Sequence, residues 1–587
     1  MDISTLEQPR PDFARRSWLT LNGQWRFAFD DNDVGIRQRW YMKMDPDHFN
    51  LRIVVPFCYQ SRLSTITERE DHQIVWYARE FEINDREATE RALLNFGAAD
   101  YETDVWINGI HVGNHKGGNC SFLFEISPYL IDGSNLLVVR CVDRNELFQP
   151  RGKQYWAAGT SRCWYTKTTG IWQSVWLEFV GSRSFQSIFI KPNIDNNTID
   201  VEIELDGAPN QSNLSIEMDI LFDGVKEKTI AETVRKNIFT VTVNLDFQDG
   251  VDNVHLWSPE NPKLYQMEIR LLSHGTVQDE ISSYFGMRKI SVMNGSIMLN
   301  NRPYYPKLVL DQGYWPDSMQ TAPSDQAIID DIVLAKSLGF NGARKHQKVE
   351  DPRYYYWADK LGFLVWAELP SAYDFSTQEA TNLFLEFIDF IRRDRNHPSI
   401  IVWVPLNESW GVRNIAFDKH QQDFSVSMYY LAKCMDGTRL VSTNDGWEQT
   451  DTDLCCIHCY AKDGAHIAKL FSTKERLLDQ MPAGRPVFAE GYAFADQPIL
   501  LTEFGGIALR SQEESGWGYN EPAADSDVLT ERLRDLFREV YALEYLGGFC
   551  YTQLYDVEAE TNGLLDANRH PKAAVEVLRR IIQGNDV

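Results

Sequence analysis

Short runs of alternating apolar and polar residues dominate the first third of the chain. They lie at 25–29, 75–83, 92–96, 103–107 and 136–142, separated by Asn-Gly, Gly-Gly and Asp-Gly turns. A period of two puts alternate side chains on one face of a strand, and no helical period interrupts the pattern. A β-sandwich is predicted over 1–181. The alternation resumes at 199–205, 214–221 and 239–245. The stretch 182–291 has the size of an immunoglobulin-like β-sandwich, about 100 residues.

Near Asn294-Gly295 the grammar changes to apolar strands alternating with amphipathic helices. Ser324 is placed to cap a helix with Ile328, Ile332, Ala335 and Leu338 on one face, and Phe340 opens the next strand. Further strands are predicted at 363–367, 400–404, 440–443, 499–502 and 548–551. Helices are predicted at 384–395, with Phe387, Phe390 and Ile391 inward, and at 573–581. Strand-then-helix repetition over 292–587 predicts an eight-fold β/α barrel (a TIM barrel), whose chemistry sits at the carboxyl ends of its strands. An open doubly wound sheet would usually carry a Gly-rich phosphate turn after its first strand, and none is present.

Composition narrows the classes. A hydrophobic share of 43% with 24% charged residues is that of a globular protein. Seventeen Trp and 25 Tyr suit a protein that stacks sugar rings, although large β-rich cores also collect aromatics. The net charge of −26 repels nucleic acid and acidic membrane surfaces. No basic stretch precedes an apolar one at the amino terminus, no apolar run approaches the ~18 residues of a membrane span, and nine scattered cysteines form no disulfide framework. These features predict a cytoplasmic protein. Cys455, Cys456, His458 and Cys459 cluster in sequence, but a structural zinc site needs a second ligand pair, so the segment reads as a buried strand with no metal.

Two strand ends carry the candidate chemistry. IVWVPLNESWG (401–411) is an apolar strand running into Asn407-Glu408, and PILLTEFGG (498–506) runs into Glu503 followed by two glycines. A carboxylate ending an apolar parallel strand is poorly solvated unless it faces an open strand-end cavity. Glycoside cleavage uses such a pair, one acid to protonate the departing oxygen and one carboxylate at the anomeric carbon. The bland alternative is that each Glu caps a strand or pairs with an Arg. Glu490, ending PVFAE, and Glu368, after FLVWA, are weaker candidates of the same kind.

Six blocks in order resemble glycoside hydrolase family 2, the family of β-galactosidases, β-glucuronidases and β-mannosidases. LNGQWRF (21–27), DVWINGIHVGNHKGG (104–118) and WYTKTTGIWQSVWLE (164–178) resemble its sugar-binding jelly roll. LWSPENPKLY (256–265) with FGMRK (285–289) resembles its immunoglobulin-like domain. RRDRNHPSIIVWVPLNESWG (392–411) and LLTEFGG (500–506) resemble its acid/base and nucleophile segments. The resemblance implies a jelly roll over 1–181, an immunoglobulin-like sandwich over 182–291 and a catalytic barrel over 292–587. It also implies a retaining mechanism with Glu408 as acid/base and Glu503 as nucleophile.

Further roles follow from the same resemblance. Asn407 matches the residue that bonds the sugar 2-hydroxyl, and Tyr460 the tyrosine that contacts the nucleophile. Arg344 matches an arginine after the third strand that buttresses it, and Glu368 a position on the pocket floor. His346 and Asp311 lie near sugar-contacting positions, and Gln553 stands where large galactosidases have Trp. Glucuronide-accepting relatives carry Asn-x-Lys in the last barrel loops. Here Asn562 is followed by Leu564 where the Lys would be, which argues against a glucuronide unless a basic residue arrives from elsewhere. The expected substrate is a terminal β-galactoside-like sugar, with arabinoside, mannoside and glucuronide as alternatives, and no dissociable cofactor. A non-catalytic carbohydrate-binding protein is the alternative of another class, and a homo-oligomer stays open.

Overall fold

The computed structural model describes residues 8–84, 90–157, 159–207, 213–246, 254–510 and 516–586. The alternating runs of the first third pair into two antiparallel sheets. One holds, in spatial order, Leu51–Val55, Gly23–Phe29, Ile74–Ile83, Gly133–Val142, Glu102–Ile107 and Ile110–Lys116. The other holds Phe122–Glu125, Arg91–Phe96, Val175–Val180 and Trp18–Thr20. Trp25, Phe27, Val75, Tyr77, Leu94, Phe96, Val139 and Leu177 fill the space between them. Alternation fails over Ile74–Ala78 because the outer face is covered too, with Trp76 and Ala78 packing against Trp40 and Phe49.

The second sandwich sets Ser184–Asn193, Thr198–Asp206 and Ile238–Asn244 against a five-stranded sheet. That sheet takes its edge strand from the start of the chain, since Ala14–Arg15 pairs antiparallel with Thr276–Phe285. The Arg15 guanidinium is thereby buried at the junction of the two sandwiches. It donates to Glu178 of the first at 2.5 Å, and to Asp279 at 2.9 Å and the Phe185 carbonyl at 2.6 Å in the second.

Eight parallel strands follow: β1 Lys307–Asp311, β2 Gly342–Lys345, β3 Leu364–Glu368, β4 Ile400–Val404, β5 Leu440–Val441, β6 Cys455–His458, β7 Ile499–Gly505 and β8 Leu546–Thr552. Their spatial order is β5-β4-β3-β2-β1-β8-β7-β6, so β1 lies between β2 and β8. This is the wrapped order of a TIM barrel and not that of a doubly wound sheet. β5 is short, but above β4 and β5 the chain forms a second parallel pair, Leu406–Asn407 with Asn444–Asp445. His458 N bonds the Gly446 carbonyl at 3.3 Å beside β6.

The helices start where capping chemistry allows. Ser324 accepts from Ala327 N ahead of Asp325–Ser337, and Asp351 with Pro352 opens Pro352–Leu361. The helix expected at 384–395 begins earlier, at Thr377, because Ser376 accepts from Glu379 N; its buried residues include Phe387, Phe390 and Ile391 as expected.

Removing one partner of a buried ion pair costs ~3–5 kcal/mol, because the other charges stay buried and unpaired. Arg15→Ala is therefore expected to lower the unfolding free energy, read from denaturant titration, by that order. A loss under ~1 kcal/mol, the range of exposed pairs, would contradict the buried-clamp reading.

Candidate active site

Both candidate carboxylates sit where the backbone departs from regularity. Glu408 and Ser409 have φ of 53° and 56°, a left-handed pair that non-glycine residues rarely adopt. The turn is held from the neighbouring strand extension: Glu408 N bonds the Asp445 carbonyl at 2.9 Å, and Ser409 N bonds Asn444 Oδ1 at 3.0 Å. Glu503 lies within β7 at a slip in register. The ladder to β6 shifts between Ile457 and His458, and the ladder to β8 shifts between Leu501 and Phe504. Such irregularities re-aim a side chain, here toward the barrel mouth.

The result is a close group. One oxygen of Glu408, one oxygen of Glu503 and a ring nitrogen of His458 all lie within 4.8 Å of one another. His458 Nδ1 is 2.8 Å from Glu408 Oε1 and 3.5 Å from Glu503 Oε2, while Nε2 is 2.7 Å from Asp445 Oδ1. Burial opposes a charge on this imidazole, but Glu503, Asp445 and Glu408 outweigh it and push its pKa up to about 10. At neutral pH His458 is a cation donating from both nitrogens. These three residues could hold a metal ion only if that proton left. Gly446, at φ 112°, leaves room for the ring: a Cβ there would meet His458 Nδ1 at 2.8 Å.

Arg344 ties the group to the barrel wall. It lies in β2, not after the third strand, and is fully buried. It donates to Glu503 Oε1 at 2.9 Å and Glu368 Oε2 at 2.8 Å, and its Nη1 is 3.1 Å from Asp445 Oδ1. It also donates to Asn407 Oδ1, which leaves the buried Asn407 Nδ2 without a partner among the described residues. Tyr460 donates to Glu503 Oε2 at 2.5 Å and stacks on Tyr519 with ring centroids 3.4 Å apart. Gly506 makes space for that stack, since a Cβ there would meet Tyr519 at 2.5 Å.

The remaining predicted residues divide. His346 is buried, with Nδ1 3.1 Å from Glu368 Oε1; burial, with Lys153 and Arg344 nearby, holds its pKa well below the usual range, so it is neutral. Burial of Glu368 outweighs its Arg344 partner and pushes its carboxyl up to about 7. Asp311 stands apart from the carboxylate group and is satisfied by the protein: Tyr555 and Gly313 N bond Oδ1, and Lys345 pairs with Oδ2 at 3.0 Å. Gln553 is fully buried; its Oε1 accepts from Gln312 at 2.7 Å, and its Nε2 has no partner among the described residues. Glu490 is exposed. Cys455, Cys456 and Cys459 are buried free thiols, while His458 of the same segment joins the carboxylates.

The sequence gives no sign of Asp445, Lys153 or Glu560, and His458, weighed there only as a metal ligand beside three cysteines, ends an apolar strand just as the glutamates do. Lys153 comes from the first sandwich, in the stretch between Gly133–Val142 and Gly170–Ile171. Its ammonium lies 4.0 Å from Glu560 Oε2 and 5.5 Å from the Trp410 ring centroid. Trp164 from the same stretch stacks on Trp410 at 5.7 Å and bonds the Tyr373 hydroxyl at 2.9 Å.

Two sandwiches and a barrel with paired carboxylates at its mouth define a multidomain barrel protein. Family models match in three consecutive blocks: the glycosyl hydrolases family 2 sugar binding domain over 19–177, glycosyl hydrolases family 2 over 184–288, and the family 2 TIM barrel domain over 290–586. The chain belongs to glycosyl hydrolase family 2. It is 25% identical over 444 residues to a β-galactosidase of Thermoanaerobacter pseudethanolicus, covering 72% of this chain and 55% of that one. It is 23% identical over 624 residues to a β-glucuronidase of Canis lupus familiaris, covering 95% and 89%. A solved Bifidobacterium dentium β-glucuronidase, complexed with coumarin-3-O-glucuronide, superposes with TM-score 0.79 at 19% identity over 97% of this chain and 98% of that one. The chain spans about half the length of two curated relatives it matches.

A histidine whose pKa is raised on folding stabilises the fold fully below its unfolded pKa, about 6.5, and loses that contribution as pH rises through the folded value, about 10. The melting temperature of His458→Gln should therefore fall furthest below wild type near pH 6 and approach it near pH 10. A gap independent of pH would contradict a charged His458.

Proposed function

We propose that the protein is a retaining exo-glycosidase that removes terminal non-reducing sugars, with Glu408 as acid/base and Glu503 as nucleophile. The observation that carries this is the approach of their carboxyl oxygens to within 4.8 Å. Retaining pairs stand about 5–5.5 Å apart and inverting pairs about 6.5–9.5 Å, with room for a water between. In the first step Glu503 attacks the anomeric carbon, the glycosidic bond breaks, and the Glu408 proton goes to the leaving oxygen. In the second, Glu408 takes a proton from water, which attacks the same carbon and releases Glu503. Arg344 and Tyr460 aim the two oxygens of Glu503, and the free amide of Asn407 serves the sugar 2-hydroxyl.

The sugar is proposed to be neutral and β-galactoside-like. Leu564 is buried where a uronate-binding Lys would be sought. The ammonium of Lys572 is taken up by Asp556 at 2.6 Å and the Thr561 carbonyl at 2.8 Å. L-Arabinopyranose, which lacks only the exocyclic carbon of galactose, suits the same reading. Relatives named as both β-galactosidase and β-glucuronidase leave the choice to a panel of nitrophenyl glycosides.

Glu503→Ala should abolish turnover of every glycoside. Glu408→Ala should lose ~10²–10⁴-fold on poor leaving groups and much less on dinitrophenyl glycosides. Azide should rescue it, giving a glycosyl azide of the substrate's own configuration. An azide product of opposite configuration, or full activity in Glu503→Ala, would overturn the assignment.

A further inference from the structure

We propose that Lys153 and Glu560 form a matched donor and acceptor that bridges the exocyclic hydroxyl of the terminal sugar, and that this pair selects neutral glycosides against uronosides. The proposal rests on the glycosidase reading above and adds the substrate class.

Both groups are withdrawn from water, with side chains 4% and 1% exposed. Burying an ammonium is costly unless its donors find acceptors. Lys153 Nζ nevertheless makes no hydrogen bond to any described residue, and its nearest carboxylate oxygen is Glu560 Oε2 at 4.0 Å. That is too long for a direct hydrogen bond. It suits a hydroxyl that accepts from the ammonium and donates to the carboxylate, each at about 2.7–3.0 Å.

Glu560 is held firmly for this task. Its Oε2 accepts from the Tyr165 hydroxyl at 2.5 Å and its Oε1 from Asn562 Nδ2 at 3.2 Å. Each oxygen keeps a lone pair to spare.

The location fits a sugar contact. Lys153 lies 5.5 Å from the ring centroid of Trp410, two residues past Glu408. Glu560 follows β8, whose last residue, Thr552, bonds the Tyr460 hydroxyl that also bonds Glu503. The pair thus stands beside the elements that carry Glu408 and Glu503.

Charge sets the selectivity. The pair is neutral in sum, so no cation is left over for a sugar carboxylate. At that exocyclic position a uronate has no proton to donate to Glu560 and would meet it as a like charge in a water-poor site. Lys153 is the basic residue arriving from elsewhere in the chain, but Glu560 has already matched it.

The test compares wild type, Lys153→Met and Glu560→Gln on nitrophenyl β-D-galactopyranoside, α-L-arabinopyranoside, β-D-glucuronide and β-D-galacturonide, with melting curves to verify folding. Wild type should prefer the neutral sugars. Loss of a hydrogen bond to a charged group is worth about 10-fold or more, so Lys153→Met should lower kcat/KM on the galactopyranoside by at least that and change the arabinopyranoside, which lacks the exocyclic hydroxyl, much less. Glu560→Gln leaves the cation unmatched and should shift the neutral-to-uronoside ratio at least tenfold toward uronosides, a change that mere loosening of the loop would not produce. It keeps the proposal testable if Lys153→Met does not fold. Variants unchanged across the panel, or a wild type preferring uronosides through Lys153, would overturn the pair alone. A wild type inert on all glycosides would overturn the glycosidase reading itself.

Discussion

A guanidinium with no access to water sits at the mouth of the barrel, and the candidate site is arranged around it. Arg344 survives burial because Asp445, Glu368 and Glu503 surround it, and these acids in turn are tolerable there only because of it. The geometry of the guanidinium fork fixes the directions of its partners. Glu503 is drawn toward it from β7, Glu368 from β3, and the Asn407 carbonyl oxygen from the β4 extension. Asp445, held well below the usual carboxylate range against its burial chiefly by Arg344, anchors His458. Loss of this one cation would leave several buried carboxylates unmatched, so fold and site share one electrostatic constraint.

The first sandwich is more than an appendage to the barrel. Its stretch between Gly133–Val142 and Gly170–Ile171 crosses to the barrel mouth, where Arg151 N and Gly152 N bond the Ser371 carbonyl at 3.1 and 3.0 Å. Tyr373 then bonds the Gly152 carbonyl at 2.5 Å and receives the Trp164 indole. These backbone contacts fix where Lys153, Trp164 and Tyr165 stand relative to Trp410 and Glu560. The barrel mouth is therefore complete only where the sandwich stretch meets it.

The architecture was legible because periodicity reports burial. Ile400–Val404 ends at the residues its apolar run predicts, and Ser324 caps its helix as read. Short or doubly buried elements were less legible. β5 is two residues long, and its continuation at Asn444–Asp445 carries polar side chains that look like loop. The helix Thr377–Asp394 starts seven residues before its apolar run becomes obvious, because a capping serine and not a hydrophobic residue opens it. In the site, Glu408, Glu503, Asn407, Tyr460 and Arg344 came together as expected. Asp311, expected near a sugar-contacting position, is bonded by Lys345 and Tyr555, partners that a local strand-end reading cannot see. Lys153 was invisible for a different reason: its partner is some 400 residues away in the chain, and no periodicity links a sandwich loop to a barrel loop.

The most direct test of the account is to trap the covalent intermediate. A 2-deoxy-2-fluoro-β-D-galactosyl fluoride slows both steps by destabilising the oxocarbenium-like transition state, while its good leaving group lets the first proceed. Mass spectrometry of the intact protein and of its peptides should show a single fluorosugar bound through Glu503, and none in Glu503→Ala. A label on another carboxylate, such as Glu368 or Glu490, would contradict the account. So would turnover of an unmodified substrate with inverted configuration and no label at all.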